Sequence, residues 1–148
     1  MSTPYSPEET LGVLVRQVRD GLFQLFERKL AESGLELNLS QYLVLKRLAY
    51  HGVQTATELA RAIDHDAGAM TRLLDKLEEK GYLRRQPHQE DRRALQISLT
   101  EAGQALWATM QACGDASMEI ALGDLAEAEQ EQLISLLKRV RATLETQQ

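Results

Sequence analysis

The chain of 148 residues is predicted to fold as a mainly α-helical protein with one small β-hairpin. Two short capped helices over residues 55 to 79, followed by two short segments typical of strands up to residue 99, support this prediction. Long apolar stripes near both ends of the chain indicate further helices outside this central unit. The sequence therefore predicts a compact helix pair and hairpin flanked by long N- and C-terminal helices.

Thr55 and Glu58 form the sequence signature of a capping box just before an apolar run. In a capping box the threonine hydroxyl accepts from the backbone N–H three residues on, and the glutamate carboxylate accepts from the threonine N–H. A short helix is therefore predicted to begin at residue 55 or 56. Asp66 can cap a second helix with the same kind of oxygen, so that helix should begin near residue 67.

The second helix has an apolar stripe at helical spacing, made of Met70, Leu73, Leu74 and Leu77. Gly81 supplies the left-handed residue that ends it. Its remaining surface carries Thr71, Arg72 and Lys76. This pair matches the helix-turn-helix geometry that places a recognition helix in the major groove of DNA. The helices alone fit an ordinary all-α domain equally well.

Residues 82 to 85 predict a short strand, and residues 95 to 99, which alternate apolar and polar side chains, predict a second, with residues 87 to 93 as the polar tip. The hairpin carries Arg84, Arg85, His88, Arg92 and Arg93 on or near its tip. Arginine at such a tip suits the DNA minor groove, because the negative potential there attracts its charge. A solvated hairpin is the alternative, but helix pair and hairpin together predict a winged helix-turn-helix that binds double-stranded DNA.

The run from Glu58 to Gly103 resembles the MarR family of bacterial transcriptional regulators. The most specific motifs are Thr71-Arg72-Leu73, Leu77-Glu78 with Gly81-Tyr82-Leu83, Asp91-Arg92-Arg93 and Leu99-Thr100-x-x-Gly103. The resemblance implies a single domain over residues 1–148, with a winged-helix DNA-binding region at 35–100. It also implies dimerisation helices over residues 7–33 and 101–146.

In that family the wing aspartate orients the arginine two residues on. The resemblance implies that Asp91 orients Arg93 in the minor groove and that Arg92 contacts phosphate. This chain opens its recognition helix with Ala67, Gly68 and Ala69, where many members have larger or hydroxylated residues. Direct base contacts are therefore expected further along. The predicted DNA-binding residues are His65, Thr71, Arg72, Lys76, Arg84, Asp91, Arg92 and Arg93.

The formal net charge of −5 is unevenly distributed along the chain. Residues 61 to 93 carry eight Lys and Arg against seven Asp and Glu, whereas residues 101 to 148 carry three against eight. The acidic residues are thus concentrated away from the predicted DNA-binding region. The small positive balance predicts a DNA affinity that falls quickly with salt and depends on two copies of that region.

Neither a membrane span nor a signal peptide is expected. No apolar run reaches the roughly 20 residues of a membrane helix, and residues 1 to 10 lack a basic start and an apolar middle. The single cysteine, Cys113, cannot form a disulfide within the chain. These features predict a cytoplasmic protein.

The apolar stripes at both ends exceed what a winged helix needs to cover. The N-terminal stripe consists of Leu11, Leu14, Val15, Val18, Leu22, Leu25 and Phe26, and the C-terminal stripe of Leu133, Leu136, Leu137, Val140 and Leu144. Thr100 is predicted to cap a long helix, and Asp124 with Glu127 a last one. The stripes and the resemblance predict a homodimer. A monomer whose end helices pack on its own core is the alternative.

The resemblance also implies an inverted-repeat operator, repression, and a small aromatic or phenolic acid as effector. The polar and aromatic residues near the expected junction of dimer helices and winged helix are Arg16, Tyr42, Tyr50, His51 and Trp107. An arginine or histidine there could hold a carboxylate while the rings cover an apolar body. The same residues could instead pack or face solvent.

Catalysis, cofactors and metal binding find no sequence support. The glycines are isolated, and His51, His65 and His88 lie on separate segments. Cys113 lies within an apolar stripe, which favours a small buried side chain over a redox switch. The predicted function is a DNA-binding transcriptional repressor. The alternatives are a winged-helix protein-interaction module and a redox-responsive regulator acting through Cys113.

Overall fold

The computed structural model describes residues 6–87, 90 and 94–147. After a 3₁₀ helix at Pro7–Glu9, the elements are α1 Leu11–Glu32, α2 Leu39–His51, β1 Gln54–Thr55, α3 Ala56–Ala62, α4 Ala67–Glu79, β2 Leu83–Pro87, β3 Leu95–Leu99, α5 Glu101–Ala121 and α6 Glu127–Glu145. This order confirms the mainly α-helical fold with a wing and long helices at both ends. No helix in the described ranges is long and apolar enough to cross a membrane.

The helix starts in the centre of the chain follow the predicted caps. Thr55 Oγ1 accepts from the backbone N–H of Glu58 at 3.2 Å, and Glu58 Oε2 accepts from the N–H of Thr55 at 2.9 Å. Asp66 Oδ1 accepts from the N–H of Ala69 at 2.8 Å. Each cap satisfies backbone donors that have no partner inside the helix. The predicted starts of α3 and α4 are confirmed.

The wing belongs to a three-stranded antiparallel sheet in the order β1-β3-β2. Leu83 lies opposite Leu99 in the β2–β3 pair, and Gln54 of β1 lies opposite Ile97. The two residues of β1 were not predicted, because so short a segment shows no alternation and forms only by pairing with β3. The strand predicted over residues 82 to 85 runs from Leu83 to Pro87 instead.

The core lies beneath α4 and is closed by α2, α3, the sheet and α5. All four apolar residues predicted on the inner face of α4 are buried, namely Met70, Leu73, Leu74 and Leu77. They pack in one cluster with residues that include Leu45, Leu59, Ile97 and Met110. The polar face of α4 is consequently held at the surface.

The connection from α4 to the wing is a glycine C-cap with two backbone hydrogen bonds. Gly81 has a φ of +80°, where a side chain would be strained. Its N–H donates to the Glu78 carbonyl at 2.9 Å, and the Tyr82 N–H donates to the Leu77 carbonyl at 3.0 Å. This Schellman pattern fixes the direction in which β2 leaves the recognition helix.

The connection from the wing to α5 explains the Leu-Thr-x-x-Gly motif. Thr100 Oγ1 donates to the Gly81 carbonyl at 2.5 Å, and the Thr100 N–H donates to the Tyr82 carbonyl at 3.1 Å. A Cβ atom at Gly103 would collide with the Tyr82 carbonyl oxygen. Only glycine therefore allows α5 to start this close to the base of the wing.

Two predicted details at the chain ends are wrong. The capping box of Asp124 with Glu127 does not form, because the chain makes another turn in which the Leu125 N–H donates to the Leu122 carbonyl at 3.0 Å. The last helix begins at Glu127, and the Ala126 N–H donates to Glu129 Oε2 at 2.8 Å. The N-terminal helix is interrupted at Thr10, whose extended backbone separates the 3₁₀ helix from α1.

The terminal helices differ in how much of their apolar surface the chain covers. The second half of α1 packs on α5 and buries Phe26 and Leu30, whereas its first half exposes Leu11, Leu14, Val15 and Val18. α6 has no buried residue and makes no extensive contact with another element of the described chain. A single chain therefore leaves two apolar helix faces in water.

Candidate nucleic-acid interface

The exposed face of α4 is the surface that the core positions for contact with another molecule. It carries Gly68, Thr71, Arg72, Asp75, Lys76 and Glu79, all of them exposed. Thr71 Oγ1 donates to the Ala67 carbonyl at 2.9 Å within the helix. Its hydroxyl proton is thereby used, so Thr71 offers an acceptor oxygen and a methyl group to a partner. Arg72 is the strongest hydrogen-bond donor in the first two turns of this face.

The N-terminus of α4 is flanked by the predicted residue His65. His65 is half-buried in the turn between α3 and α4, where its N–H donates to the Ala60 carbonyl at 2.9 Å. The pKa of the neighbouring Asp66 is lowered, chiefly by the hydrogen bond from the Ala69 N–H, with help from the charges of Arg72 and His65. The helix start therefore keeps an ionised cap beside its basic side chains.

Lys76 lies on the side of α4 that faces α1 and α2. It lines an open groove of about 620 Å³ together with Glu27, Glu36, Leu37, Asn38, Gln41, Glu79 and Lys80. The groove mixes acidic and basic side chains. Lys76 is thus separated from the wing side of the helix, although it shares an exposed surface with Arg72.

The two arginines of β2 point to opposite faces of the wing. Arg84 is exposed, and its Nε donates to Ser98 Oγ at 3.4 Å across the strand pair. Arg85 was predicted on or near the tip, but its side chain turns back to α4, because successive strand residues alternate between faces. His88, Asp91, Arg92 and Arg93 lie outside the described residues, so their predicted roles remain predictions.

Arg85 makes an ion-pair cluster with two carboxylates of α4 that sequence reasoning missed. Its Nη2 lies 2.6 Å from Asp75 Oδ1 and 2.9 Å from Glu78 Oε1, and its Nε donates to Glu78 Oε1 at 3.3 Å. The backbone N–H of Arg85 donates to Glu78 Oε2 at 2.9 Å. The Arg85 side chain is only 23% exposed. Hydrogen bonding from Arg85 lowers the pKa of Glu78, and the same bonds raise the pKa of Arg85.

Three of the five residues predicted for a ligand site come together in one aromatic cluster. The Tyr42 and Trp107 rings lie 6.0 Å apart, and Tyr50 meets Trp107 edge-on at 5.6 Å. Phe26, which was not predicted, lies 4.6 Å from Tyr42. Burial raises the pKa of Tyr42, with a smaller contribution from Tyr50. The cluster joins α1, α2 and α5.

The other two predicted ligand residues stand apart from these rings. Nη1 of Arg47 lies 3.1 Å from Nε2 of His51, so the two side chains share a hydrogen bond along α2. Arg16 is exposed on α1, and within the described ranges no hydrogen bond or ion pair links it to the cluster. Sequence reasoning missed Arg47, although helical spacing places this cation one turn before His51 and could have indicated the pair.

Cys113 is 7% exposed and packs in the core cluster. Its Sγ lies 3.4 Å from Ser33 Oγ and donates to the Lys29 carbonyl at 3.6 Å. This environment supports the packing interpretation over a redox switch, since a sensing thiol must be accessible. In the part of the chain that the structure describes, no group of three or more His, Cys, Asp and Glu could hold a metal ion.

A helix-turn-helix with an exposed second helix, followed directly by an antiparallel wing, defines the class of winged helix-turn-helix proteins. The sequence pattern of the MarR family matches residues 37–95. The transcriptional regulator SarZ of Staphylococcus haemolyticus is 34% identical over 105 residues, which are 71% of this chain and 70% of SarZ. The transcriptional repressor NicR of Pseudomonas putida is 27% identical over 139 residues, 94% of this chain and 87% of NicR.

Solved structures agree with these relatives. A mutant MarR from E. coli, in complex with operator DNA, superimposes with a TM-score of 0.76 at 30% identity, covering 94% of this chain and 99% of that one. The chain belongs to the MarR family of transcriptional regulators. The resemblance drawn from the motifs between residues 58 and 103 is confirmed.

Proposed function

We propose that this chain is a homodimeric transcriptional repressor that binds an inverted-repeat operator, with α4 in the major groove and the wing in the minor groove. The observation that carries the proposal is the polar face of α4, exposed and fixed to the wing by the Gly81 cap and by Arg85. The similarity to E. coli MarR, solved with operator DNA, supports DNA binding. The similarity to NicR, which is named a repressor, supports repression.

Individual side chains take different parts in this proposal. In this proposal Arg72 would donate two hydrogen bonds to a guanine edge, while Lys76 would approach the phosphate backbone from the α2 side. Thr71 presents a methyl group that suits thymine. His65, Arg84 and Arg92 are assigned to backbone contacts, and Asp91 is assigned to hold Arg93 in the minor groove.

The uncovered terminal helices support the homodimer and the division into a winged-helix region at 35–100 and dimerisation helices at 7–33 and 101–146. α6 exposes Leu133, Ile134, Leu136, Leu137, Val140 and Leu144. A helix of 19 residues with an apolar stripe is stabilised mainly by packing, so α6 needs a partner outside its own chain. A two-fold partner would place two copies of α4 about one DNA turn, roughly 34 Å, apart.

The aromatic cluster supports an effector site for a small aromatic acid. It lies where α1, α2 and α5 meet, between the winged-helix region and the helices proposed to dimerise. The rings of Tyr42, Tyr50 and Trp107 would cover an apolar body, and the Arg47–His51 pair would supply a cation for the carboxylate. An effector would weaken operator binding if it binds more tightly to the form of the dimer whose two α4 helices are too close or too far apart to fit the operator.

Selection of genomic fragments by the purified chain, in excess competitor DNA, tests DNA binding. We expect the fragments to share an inverted repeat, and Arg72→Ala to weaken binding to it by roughly 1–3 kcal/mol. Lys138→Ala, on α6, is the matched control that removes a charge away from α4 and should bind like the unmodified chain. If the chain retains no fragment in competitor DNA, the protein-interaction module, which does not read DNA, is favoured instead.

Titration of salicylate-like aromatic acids into the preformed DNA complex tests the effector site. We expect release of DNA at millimolar concentration together with a change in Trp107 fluorescence, and loss of both in Tyr42→Ala. Mild peroxide, added to the same complex in place of the acid, tests the redox alternative. Release by peroxide alone, abolished in Cys113→Ser, would replace the aromatic-acid effector with the redox alternative.

A further inference from the structure

The recognition helix has an unfavourable charge balance for a DNA-binding element. α4 carries two basic residues, Arg72 and Lys76, against three acidic ones, Asp75, Glu78 and Glu79. Asp75 follows Thr71 by one turn on the exposed face, and its side chain is 55% exposed. Phosphates at the edges of a major groove repel carboxylates in this position. The acidic residues must therefore be neutralised when the helix binds.

Arg85 supplies one positive charge from the wing against two of these three carboxylates. Its guanidinium bridges Asp75 and Glu78, and its backbone N–H donates to the second oxygen of Glu78. Glu78 and Asp75 precede Arg85 by seven and ten residues, so these bonds span the Gly81 turn. The wing is thus tied to α4 at two points, the Schellman cap and the Arg85 cluster.

We propose that Arg85 is a positioning residue for DNA binding, which offsets part of the negative charge of Asp75 and Glu78 beside the DNA and holds the wing at a fixed angle to α4. This inference rests on the proposed DNA-binding function and adds a residue that touches no DNA. Arg84, the next residue on β2, lies on the opposite face and remains exposed. The adjacent arginines thus have different tasks, one toward DNA and one toward α4.

The geometry separates this role from a phosphate contact. The Arg85 side chain is 23% exposed, and its Nε and Nη2 donors are already directed at carboxylates. Nε and Nη2 both donate to Glu78 Oε1, and Nη2 also donates to Asp75 Oδ1, an arrangement that the flexible lysine ammonium would hold less well than the planar guanidinium. Because exposed ion pairs add little to folding stability, the main effect of Arg85 should appear in DNA affinity.

A double-mutant cycle measured by fluorescence anisotropy on the selected operator fragment tests the proposal. The variants are Arg85→Gln, the pair Asp75→Asn with Glu78→Gln, and all three together. Glutamine at position 78 keeps an oxygen for the Arg85 N–H. We expect Arg85→Gln to weaken binding about ten-fold while the carboxylates are present, because they are then uncompensated. With both carboxylates removed, the same change should cost less than about two-fold.

The matched control is Arg84→Gln, carried through the same cycle. Its effect on binding should be the same with and without the two carboxylates. The dependence of binding on salt concentration should decrease in Arg84→Gln, as it does when a phosphate contact is lost. Arg85→Lys retains the charge and should lose less affinity than Arg85→Gln. Thermal unfolding of each variant establishes that it is folded under the binding conditions.

Two results would overturn the role of Arg85. One is binding by Arg85→Gln within about two-fold of the unmodified chain, and the other is an equal loss in both carboxylate backgrounds. If Arg72→Ala weakens selective binding as the proposed function expects, that function stands without this inference. An unmodified chain that selects no DNA sequence would reject the proposed function itself and this inference with it.

Discussion

The winged-helix region from α2 to β3 contributes most of the buried apolar core, whereas α6 buries none of its residues. In the first region every apolar residue on the inner face of α4 is covered by α2, α3, α5 or the sheet. In the second, the stripe from Leu133 to Leu144 remains in water. The first region is therefore covered by its own chain, with α1 and α5 completing its core, while the apolar stripe of α6 stays exposed in the described chain.

The two regions therefore differ in how firmly the rest of the chain holds them in place. The recognition helix and the wing are tied to each other by short-range contacts at Gly81, Arg85 and Thr100, so their relative position is fixed. In the proposed dimer, the separation of the two recognition helices would depend instead on the first half of α1 and on α6, whose apolar faces are exposed in a single chain. A small shift between these helices would change DNA binding without altering the winged-helix region itself.

The largest effect is expected from a charge placed on the α6 stripe. Leu137→Glu should convert the dimer to a monomer and weaken operator binding by more than about 100-fold, because the second half-site contact is lost. Light scattering and fluorescence anisotropy check the two parts. Ser135→Glu adds the same charge on the opposite face of α6 and should leave the dimer intact. A Leu137→Glu variant that stays dimeric would show that α6 is not the interface.

A large loss of stability is expected at the junction of wing and α5. Gly103→Ala should lower the free energy of unfolding by roughly 1–3 kcal/mol, because the added methyl collides with the Tyr82 carbonyl. Gly114→Ala, in the same helix, is the control. Its Cβ would only touch Phe26 at 3.9 Å, so it should stabilise the chain by up to about 1 kcal/mol. Urea unfolding at fixed protein concentration measures both, and equal changes would contradict the packing shown at Gly103.

A smaller effect is expected in the turn between α3 and α4. Asp64 has a φ of +54°, a left-handed conformation that glycine adopts without strain. Asp64→Gly should therefore be neutral or stabilising by up to about 1 kcal/mol, whereas Asp64→Val should be destabilising by roughly 1–2 kcal/mol. The same unfolding measurement checks the pair. A tolerated valine would mean that this turn is less constrained than the rest of the winged-helix region.

The smallest effect concerns acid stability of the wing attachment. Arg85 lowers the pKa of Glu78 below its ordinary value of 4.5, so this stabilisation is complete above that pH and is lost as the pH falls through the lowered value. Glu78→Gln should therefore flatten the acid side of the profile of unfolding midpoint against pH. Glu79→Gln, whose carboxylate lines the groove on the other side of α4, is the control and should keep the slope.

Much of the fold followed from local chemistry that a linear sequence displays. Capping oxygens at Thr55 and Asp66, apolar residues at helical spacing in α4, and a glycine at position 81 each act within a few neighbouring residues. The starts of α3 and α4 and the span of β3 were therefore predicted closely. The start of α6 was predicted less well. Asp124 offers one possible helix cap, but the chain makes a further turn at Leu122 to Leu125 and the helix begins at Glu127.

The family, the winged-helix fold and the surface carrying Thr71, Arg72 and Lys76 were thus determined by the sequence itself. Three contacts could be seen only in the folded chain. Arg85 faces α4, the rings of Tyr42, Tyr50 and Trp107 form one cluster, and β1 pairs with β3. Local patterns state which face of an element is polar, but not which distant element covers it. That choice depends on packing between residues far apart in the chain, and the apolar stripe of α6 is left exposed by such packing in the described chain.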